Sequence, residues 1–497
     1  MSRFRPAMGW LHNWMGLLLG WLLFAIFVTG SFGYYRHEVT LFMTPELRPL
    51  AAATVSQEEA SRRAVTWLSA NAAKAESWSI LLPDEKSPAI RVSWDGETTG
   101  EQLLDPRSGA PLDPAPRATG GGDFLYRLHS DLHFVSPMVG RILVTFIGVA
   151  LLVLLVTGLV THRNILRNLL RFRPGKGWRT RLDLHNLAGV LGLPFHLFVT
   201  LTGLVTVMML IQPWGVASVY GASGLGAFAQ DSFPSVRAQP PRHATAPATL
   251  DLAPLIGRAK HMLRSDTAGE IDIEKPGVPG MRVSIAHPIR GIVQFRKPSI
   301  TFDPIDGTVL GTTNNDLSSV SLMHSQLFGL HVAHFAGPVM RFVLFCLGLV
   351  GAAMVATGHL LWAAKRWPKA DAKVPHSIAA VDRLNAAVFA GLPLAIATYL
   401  WSNRLIPADL AGRAAEEQTA MFAAWGVALV VACIAPARLV WTLLLAAGGL
   451  AAAALGGLDL AGQWPVWLID LILLTGGLAL LAAAIRSFRV LPIPPRA

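Results

Sequence analysis

Eight long apolar runs constrain this chain more than any other feature. Each run is long enough, or nearly so, to cross about 30 Å of hydrocarbon as a helix. With 52% hydrophobic and 15% charged residues, the composition is typical of a polytopic membrane protein. The first run is too long for a cleavable signal peptide and lacks a small-residue cleavage site. The predicted spans are residues 15–35, 138–161, 186–211, 338–363, 383–401, 420–436, 439–456 and 465–485.

Basic residues cluster beside these runs, and this placement explains the net charge of +11 without nucleic-acid binding. The basic segments are Arg3 with Arg5, "HRNILRNLLRFRPGKGWRTR" (162–181), "KRWPKADAK" (365–373), and Arg486 with Arg489. All of them lie on one face of the membrane if both termini are cytoplasmic, as the positive-inside rule predicts. The long segments 36–136 and 212–337 are then expected on the opposite face.

Part of the chain repeats. "LHNWMGLLLGWLLFAIFVTG" (11–30) aligns without a gap on "LHNLAGVLGLPFHLFVTLTG" (184–203). The returning spans also match, since "HFVSPMVGR" (133–141) parallels "HFAGPVMR" (334–341). Both returning runs end in Thr-Gly, at 157–158 and 357–358. We expect a duplicated unit of helix, outer module and helix, followed by spans five to eight without a repeat or an obvious polar constellation.

The two outer segments carry the same short pattern. "LLDPRSGAPLD" (103–113) resembles "TFDPIDGTVLG" (301–311), and Asp-Pro-x-x-Gly between apolar residues predicts a strand, a turn and a strand. Helix-like stretches precede them at 56–70 and 251–264. Each outer segment is therefore predicted to be a small α+β module.

These patterns predict a polytopic α-helical membrane protein of about eight transmembrane helices with two inserted α+β modules. The predicted parts are a first helix (1–36), module 1 (37–136), a second helix (137–162), a basic loop (163–184), a third helix (185–212), module 2 (213–337), a fourth helix (338–364), a loop (365–382) and an appended bundle of about four helices (383–497).

Histidines border the first four spans, whereas the last four spans carry none. They fall at two levels. His12, His162, His185 and His359 lie at the expected cytoplasmic ends, and His129, His133, His324, His331 and His334 lie at the expected outer ends. Ionisable residues at membrane depth indicate function by default, and facing histidines in a helix bundle can ligate haem iron. Histidines at two depths in the membrane predict two haem sites, one near each membrane surface.

His185 and His196 are eleven residues apart, so they share one helix face about 16 Å apart along the axis. His196 has no counterpart in the repeat, where Leu23 occupies the aligned position. Each histidine also has a structural explanation, either as an interfacial residue or, for His196, as an internal hydrogen-bonding group. We interpret the Thr-Gly pairs as helix-packing features.

"LHNWMGLLLGWLLFAIFVTG", "RLHSDLHF", "RFRPGKGWRTRLDLHNLAGVLGLPFH" and "GLHVAHFAGPVMRFVLFCLGLVGAAMVATGHLLWAAKR" resemble the PepSY-associated transmembrane family over residues 5–368. Members are inner-membrane proteins of Gram-negative bacteria, and they include di-haem ferric-siderophore reductases. The resemblance implies periplasmic PepSY-like modules, two b-type haems and reduction of a ferric siderophore or other ferric chelate. The positions that match its histidine motifs are His12, His129, His133, His162, His185, His196 and His331, whereas His37, His334 and His359 match none.

The sequence points to an external electron donor. No Gly-x-Gly-x-x-Gly follows a strand in a βαβ context, and the predicted cytoplasmic loops are too short for a nicotinamide or flavin domain. Quinol or a separate cytoplasmic reductase would therefore supply electrons. Cys346 and Cys433 form no Cys-x-x-Cys-His motif, so any haem is expected to be non-covalent.

The modules carry arginines that could bind an acidic chelate, which are Arg91, Arg107, Arg282 and Arg290. Scattered arginines, however, usually belong to a solvated surface.

Two other functions remain open at this point. One is a non-redox membrane scaffold whose modules bind a protein partner or regulate a peptidase, with structural or pH-sensing histidines. The other is a transporter with repeated halves, which is disfavoured because the repeat is not inverted and the first four spans lack mid-membrane carboxylates.

Overall fold

The structure is a computed structural model of the 497-residue chain. It describes residues 4–52, 55–85, 87–162, 173–211, 213–221, 224–232, 238–241, 243, 245, 247, 249–288, 291–313, 318–368, 373–458 and 466–489. Arg3, Arg290 and residues 163–172 of the predicted basic loop lie outside the described residues.

The chain divides into two compact units, each built from separate segments. The helical unit comprises residues 1–43, 118–204 and 338–497, and the sheet unit comprises residues 44–117 and 205–337. The segments of the sheet unit lie between apolar helices in the sequence, as the predicted outer modules do.

Eight helices in the described part of the chain are long and apolar enough to cross a membrane, which confirms the predicted number. They are α1 (Phe4–Gly33), α5 (Pro137–Thr161), α6 (Trp178–Thr206), α12 (Pro338–Arg366), α13 with α14 (His376–Asn385 and Gly391–Leu405), α15 (Arg413–Ile434), α16 (Ala437–Gly457) and α17 (Val466–Arg489). The sixth and seventh spans are separate helices because Ala435, which precedes Pro436, has an extended backbone with a φ of −97° and a ψ of 159°.

Several helices begin well before the apolar run that predicts them. α1 starts at Phe4 rather than at residue 15, and α6 starts at Trp178 rather than at residue 186. Hydropathy detects only the apolar stretch, whereas backbone hydrogen bonds continue through polar residues to the end of the helix. His12 and His185 therefore lie inside helices, about two turns from their beginnings. α13 and α14 are joined by a π-helical turn, Ala386–Ala390.

Shorter helices complete the two units. Their bounds are α2 (Arg36–Met43), α3 (Gln57–Asn71), α4 (Gly121–Asp131), α7 (Met208–Ile211), α8 (Pro213–Tyr220), α9 (Gly224–Ser232), α10 (Ala253–Leu263), α11 (Ser319–Val332) and a 3₁₀ helix, Pro45–Ala52. α3 and α10 confirm the two helices predicted at 56–70 and 251–264. Ser56 caps α3, since its hydroxyl accepts a hydrogen bond from the Glu59 amide at 3.2 Å.

The strands of the sheet unit form one antiparallel sheet in the order β3-β2-β1-β4-β5-β6-β7. The bounds are β1 (Ser77–Leu81), β2 (Ile90–Asp95), β3 (Gly100–Leu104), β4 (Ile271–Glu274), β5 (Arg282–Ala286), β6 (Ser299–Phe302) and β7 (Val309–Thr312). β1 pairs with β4, with Trp78 opposite Ile273. The sequence predicts one module per segment, whereas the strands of both segments share a sheet. Pairing β1 with β4 satisfies two strand edges that separate modules would expose.

α3 and α10 contribute to the apolar core over this sheet, with Leu68 and Ile256 fully buried beside Ile80 and Val283. Two turns with the predicted Asp-Pro-x-x-Gly sequence follow β3 and β6. In both turns, the backbone amide of the glycine donates a hydrogen bond to the backbone carbonyl of the aspartate. The distance is 2.8 Å from Gly109 to Asp105 and 2.9 Å from Gly307 to Asp303. These two turns therefore have the same local hydrogen bonding.

Candidate functional site

A cavity of about 530 Å³ lies among α1, α5, α6 and α12 of the helical unit. Sites for small molecules and cofactors typically have volumes of about 300–1,000 Å³. The lining is mainly apolar, with leucines from all four helices. Four histidines line it, which are His12, His162, His185 and His359. The structure therefore brings together the four histidines that the sequence assigns to one level.

His12 and His185 lie next to each other in the lining of this cavity. Their ring centres are 6.2 Å apart and their ring planes are inclined by 71°. An iron–nitrogen bond is about 2 Å long and the imidazole centre lies about 1 Å behind its nitrogen, so two imidazoles on opposite sides of one iron have centres about 6 Å apart. The observed separation matches that requirement.

The same ring nitrogen is engaged in both histidines. Nδ1 of His12 lies 3.1 Å from the Leu154 carbonyl oxygen, and Nδ1 of His185 lies 2.8 Å from the Met354 carbonyl oxygen. A carbonyl only accepts, so each Nδ1 carries the proton and donates it, and each Nε2 keeps its lone pair. Metal-ligating histidines typically have this arrangement, because the hydrogen bond fixes the tautomer and the orientation of the ring.

The Thr-Gly pairs provide space for these rings, and the prediction that they only pack helices was incomplete. A Cβ atom on Gly158 would lie 3.2 Å from His12 Cε1, and one on Gly358 would lie 3.1 Å from His185 Cε1. Each accepting carbonyl belongs to the residue four positions before the glycine. The absence of a side chain at the glycine thus lets the ring approach that carbonyl.

His129 follows the same pattern on α4. Its Nδ1 lies 2.9 Å from the Ile26 carbonyl oxygen, and a Cβ atom on Gly30 would lie 2.6 Å from that nitrogen. Ile26 is again four residues before the glycine. Burial lowers the pKa of His129, although the hydrogen bond to Ile26 opposes that change. His129 is therefore neutral at pH 7, the form that a metal ion requires.

His359 lines the cavity without presenting a free nitrogen to it. Nδ1 lies 3.0 Å from Asn385 Oδ1, and Nε2 lies 3.0 Å from the Gly16 carbonyl oxygen. Trp21 Nε1 donates to the same Asn385 oxygen at 2.9 Å, which fixes the orientation of the amide. His359 therefore links α12 to α1 and α13. This position agrees with its lack of a match to the family's histidine motifs.

His162 caps the C-terminal end of α5, and its side chain reaches the cavity. Its buried Nδ1 has no hydrogen-bond partner among the described residues. Lys365 and Arg366 at the end of α12 add positive charge to the lining, and the Arg366 guanidinium lies 4.1 Å from the centre of the Trp362 ring. One part of an otherwise apolar cavity is therefore suited to anionic groups.

His196 is fully buried in the middle of α6 and is not among the residues that line the cavity. Its Nε2 lies 3.1 Å from the Leu347 carbonyl oxygen of α12, and its ring packs against Phe27 at a centre-to-centre distance of 5.2 Å. The structure thus shows the interhelical hydrogen bond that the sequence left open as an alternative.

The histidines predicted at the outer level occupy different surroundings. His133 follows α4 with a φ of 56° and packs between Phe124 and Phe422, at ring distances of 4.9 and 6.3 Å. His129 instead contacts α1. His331 lies half-buried in the last turn of α11, in the sheet unit. Within the helical unit, His129 and His133 therefore do not face a common point.

A buried polar network in the appended helices holds the segment that leads into α4. Arg413 and Glu417 of α15 are both fully buried and form an ion pair. Arg413 donates to the Ala118 carbonyl oxygen at 2.9 Å, and Glu417 accepts from the Thr119 hydroxyl at 2.6 Å. The Gly120 amide also donates to Glu417, at 3.2 Å. Residues 118–120 are thus fixed by α15.

α14 adds two further contacts to this network. The Asn403 side-chain amide donates to Glu417 at 2.7 Å, and the Tyr399 hydroxyl donates to the Gly121 carbonyl oxygen at 2.8 Å. The prediction that spans five to eight have no polar constellation was therefore wrong. Hydropathy predicted that the sixth span begins at residue 420. Arg413 and Glu417 lie before that residue, so the sequence did not indicate that they belong to the same helix.

The comparison with known proteins decides the family. The PepSY-associated transmembrane region matches residues 9–365. The chain belongs to this family. It is 30% identical over 391 residues to an uncharacterised protein of Pseudomonas aeruginosa, an alignment that covers 73% of this chain and 86% of that protein. The match ends at α12, so the four histidines of the cavity lie within the family region and most of the network on α14 and α15 lies beyond it.

The network predicts that Glu417→Ala destabilises the protein strongly. The substitution leaves Arg413 charged and buried, and breaking a buried ion pair costs about 3–5 kcal/mol. Thermal unfolding of the purified protein in detergent should show a midpoint lower by several degrees. Glu416→Ala is the matched control, because Glu416 is adjacent and exposed. Equal unfolding temperatures for the two variants would contradict the assigned role.

Proposed function

We propose that the protein is a transmembrane haem b electron-transfer protein that reduces a ferric siderophore or other ferric chelate in the periplasm, releasing Fe(II) for uptake. The observation that carries this proposal is the pair of neighbouring imidazoles, His12 and His185, whose ring centres are 6.2 Å apart and whose Nδ1 atoms both donate to backbone carbonyls. Haem b in this cavity would supply one-electron redox chemistry.

The residues of the cavity have distinct roles in this proposal. His12 and His185 would hold the iron through Nε2, and the Leu154 and Met354 carbonyls keep the two rings in the tautomer that would allow it. The leucines of the lining exclude water from the porphyrin. Lys365 and Arg366 stabilise the carboxylates of the cofactor by charge. His162 is the alternative partner of His185, because it lines the same cavity.

We place a second haem at the other end of the helices, with His129 as a ligand. Its hydrogen bond to Ile26 and its contact with Gly30 reproduce the arrangement around His12 and His185. The second ligand of this haem stays a prediction from the sequence. His133 is a weaker candidate than the sequence suggests, because it packs against Phe422 of α15.

The orientation and the partners in this proposal rest on sequence arguments. The charge pattern supports cytoplasmic termini in a bacterial inner membrane, with the sheet unit periplasmic. The ferric chelate as electron acceptor rests on the resemblance to di-haem reductases of the family. The electron donor is external, either quinol or a cytoplasmic reductase.

Haem content tests the assignment of the cavity. A pyridine haemochrome assay of the purified protein, expressed with ample haem, should show extractable b-type haem in a ratio near two per chain. His185→Ala and His12→Ala should each lose about one haem, because each removes an axial ligand. His359→Ala and the exposed His376→Ala should keep the wild-type content.

Two results would contradict this assignment. A colourless protein would favour the non-redox scaffold, in which the histidines are structural. Loss of haem from His359→Ala but from neither His12→Ala nor His185→Ala would place the ligands elsewhere in the cavity.

Chelate reduction is tested with dithionite-reduced protein under anaerobic conditions. Ferric siderophore should reoxidise the wild type, and an Fe(II)-specific trap should report the released iron. His129→Ala should abolish this oxidation while the haem at His12 and His185 still becomes reduced. Full oxidation by ferric siderophore in the His129 variant would exclude His129 from the electron path. No oxidation of the wild type would exclude the ferric chelate as acceptor, even if both haems are present.

A further inference from the structure

We propose that the sheet unit holds a divalent first-row transition-metal ion at His243, Asp303 and Asp306. The imidazole nitrogen and the two carboxylate oxygens all lie within 4.8 Å of one another. This site is separate from the histidine cavity, and it does not depend on the proposed electron transfer.

The turn between β6 and β7 positions both carboxylates. Asp303 is 1% exposed, and its Oδ1 accepts a hydrogen bond from the Ile305 amide at 3.0 Å. Its other oxygen, Oδ2, lies 3.2 Å from Nδ1 of His243. Asp306 is exposed on the same turn, and its Oδ1 accepts from the Thr308 amide at 2.8 Å. The turn thus fixes Asp303 and leaves Asp306 accessible to solvent.

The ligand types indicate the class of ion. One imidazole with two carboxylates suits Zn²⁺, Fe²⁺ or Mn²⁺ better than Mg²⁺ or Ca²⁺, which prefer oxygen ligands alone. Ligand atoms around a tetrahedral zinc ion lie about 3.4 Å apart. Nδ1 of His243 and Oδ2 of Asp303 already lie at nearly that separation, 3.2 Å. The exposed Asp306 side chain can rotate to close the remaining gap, and water would complete the coordination.

A simpler explanation of the contact between His243 and Asp303 is an ion pair without a metal ion. The Asp-Pro-x-x-Gly turn after β3 shows whether the third residue, Asp306, is needed for the turn itself. After β3, Asp105 accepts from the Arg107 amide at 2.7 Å, as Asp303 does from Ile305. Ser108 occupies the position of Asp306, and its hydroxyl accepts from the Ala110 amide at 3.2 Å. A serine therefore suffices for this turn, so the carboxylate of Asp306 is not needed for its fold.

The test uses zinc as the probe on the full-length protein in detergent. After treatment with chelator, the protein is dialysed to equilibrium against Zn²⁺, and bound zinc is measured by mass spectrometry. The wild type should bind one equivalent more than His243→Gln. Asp306→Ser, which keeps the hydrogen bond of the turn, should weaken this binding at least about tenfold. Ser108→Asp is the reciprocal control and should gain no zinc, because no histidine among the described residues pairs with Asp105.

Equal zinc binding by the wild type, His243→Gln and Asp306→Ser would overturn the proposal and leave only the ion pair. Zinc binding by Asp306→Ser equal to that of the wild type would by itself overturn the site with three ligands. Haem content should be unchanged in all of these variants. A wild type that binds zinc but holds no haem would count against the proposed function and not against this site.

Discussion

The hydrogen bond from histidine Nδ1 to a backbone carbonyl is the interaction on which the proposed site depends. In the described part of the helical unit it occurs at His12, His185 and His129, and each time the accepting residue precedes a glycine by four positions. A helix carbonyl already accepts one intrahelical bond, and its second lone pair is accessible only where a neighbouring side chain is small. Glycine thus controls whether the ring can approach, and the carbonyl controls which ring nitrogen keeps its lone pair.

The appended helices acquire a role from the same geometry. Asn385 contacts His359 and Trp21 next to the cavity. The pair Arg413 and Glu417 fixes the segment that precedes α4, and α4 carries His129. Buried charges are costly and are tolerated only when they are paired and hydrogen-bonded. Here the polar groups of α14 and α15 form hydrogen bonds with backbone groups of residues 118–121, at the beginning of α4.

The number of membrane-spanning helices could be predicted from the sequence, and so could part of the candidate site. Eight spans and the grouping of His12, His162, His185 and His359 followed from hydropathy and sidedness, because both depend on local composition. The functions of the Thr-Gly pairs and of Arg413 could not be predicted, because they depend on which helices become neighbours. The same limit applies to β1 and β4, whose pairing joins segments almost 200 residues apart in the chain.

The most direct test of the central claim is low-temperature electron paramagnetic resonance of the oxidised protein. Two imidazoles bound to one ferric iron with planes inclined by 71° should give a low-spin signal with one unusually large g value, typical of crossed axial ligands. That signal should disappear in His12→Ala and in His185→Ala, and it should persist in His359→Ala. A protein without a low-spin ferric signal, or a large-g signal unchanged in both single variants, would contradict the account.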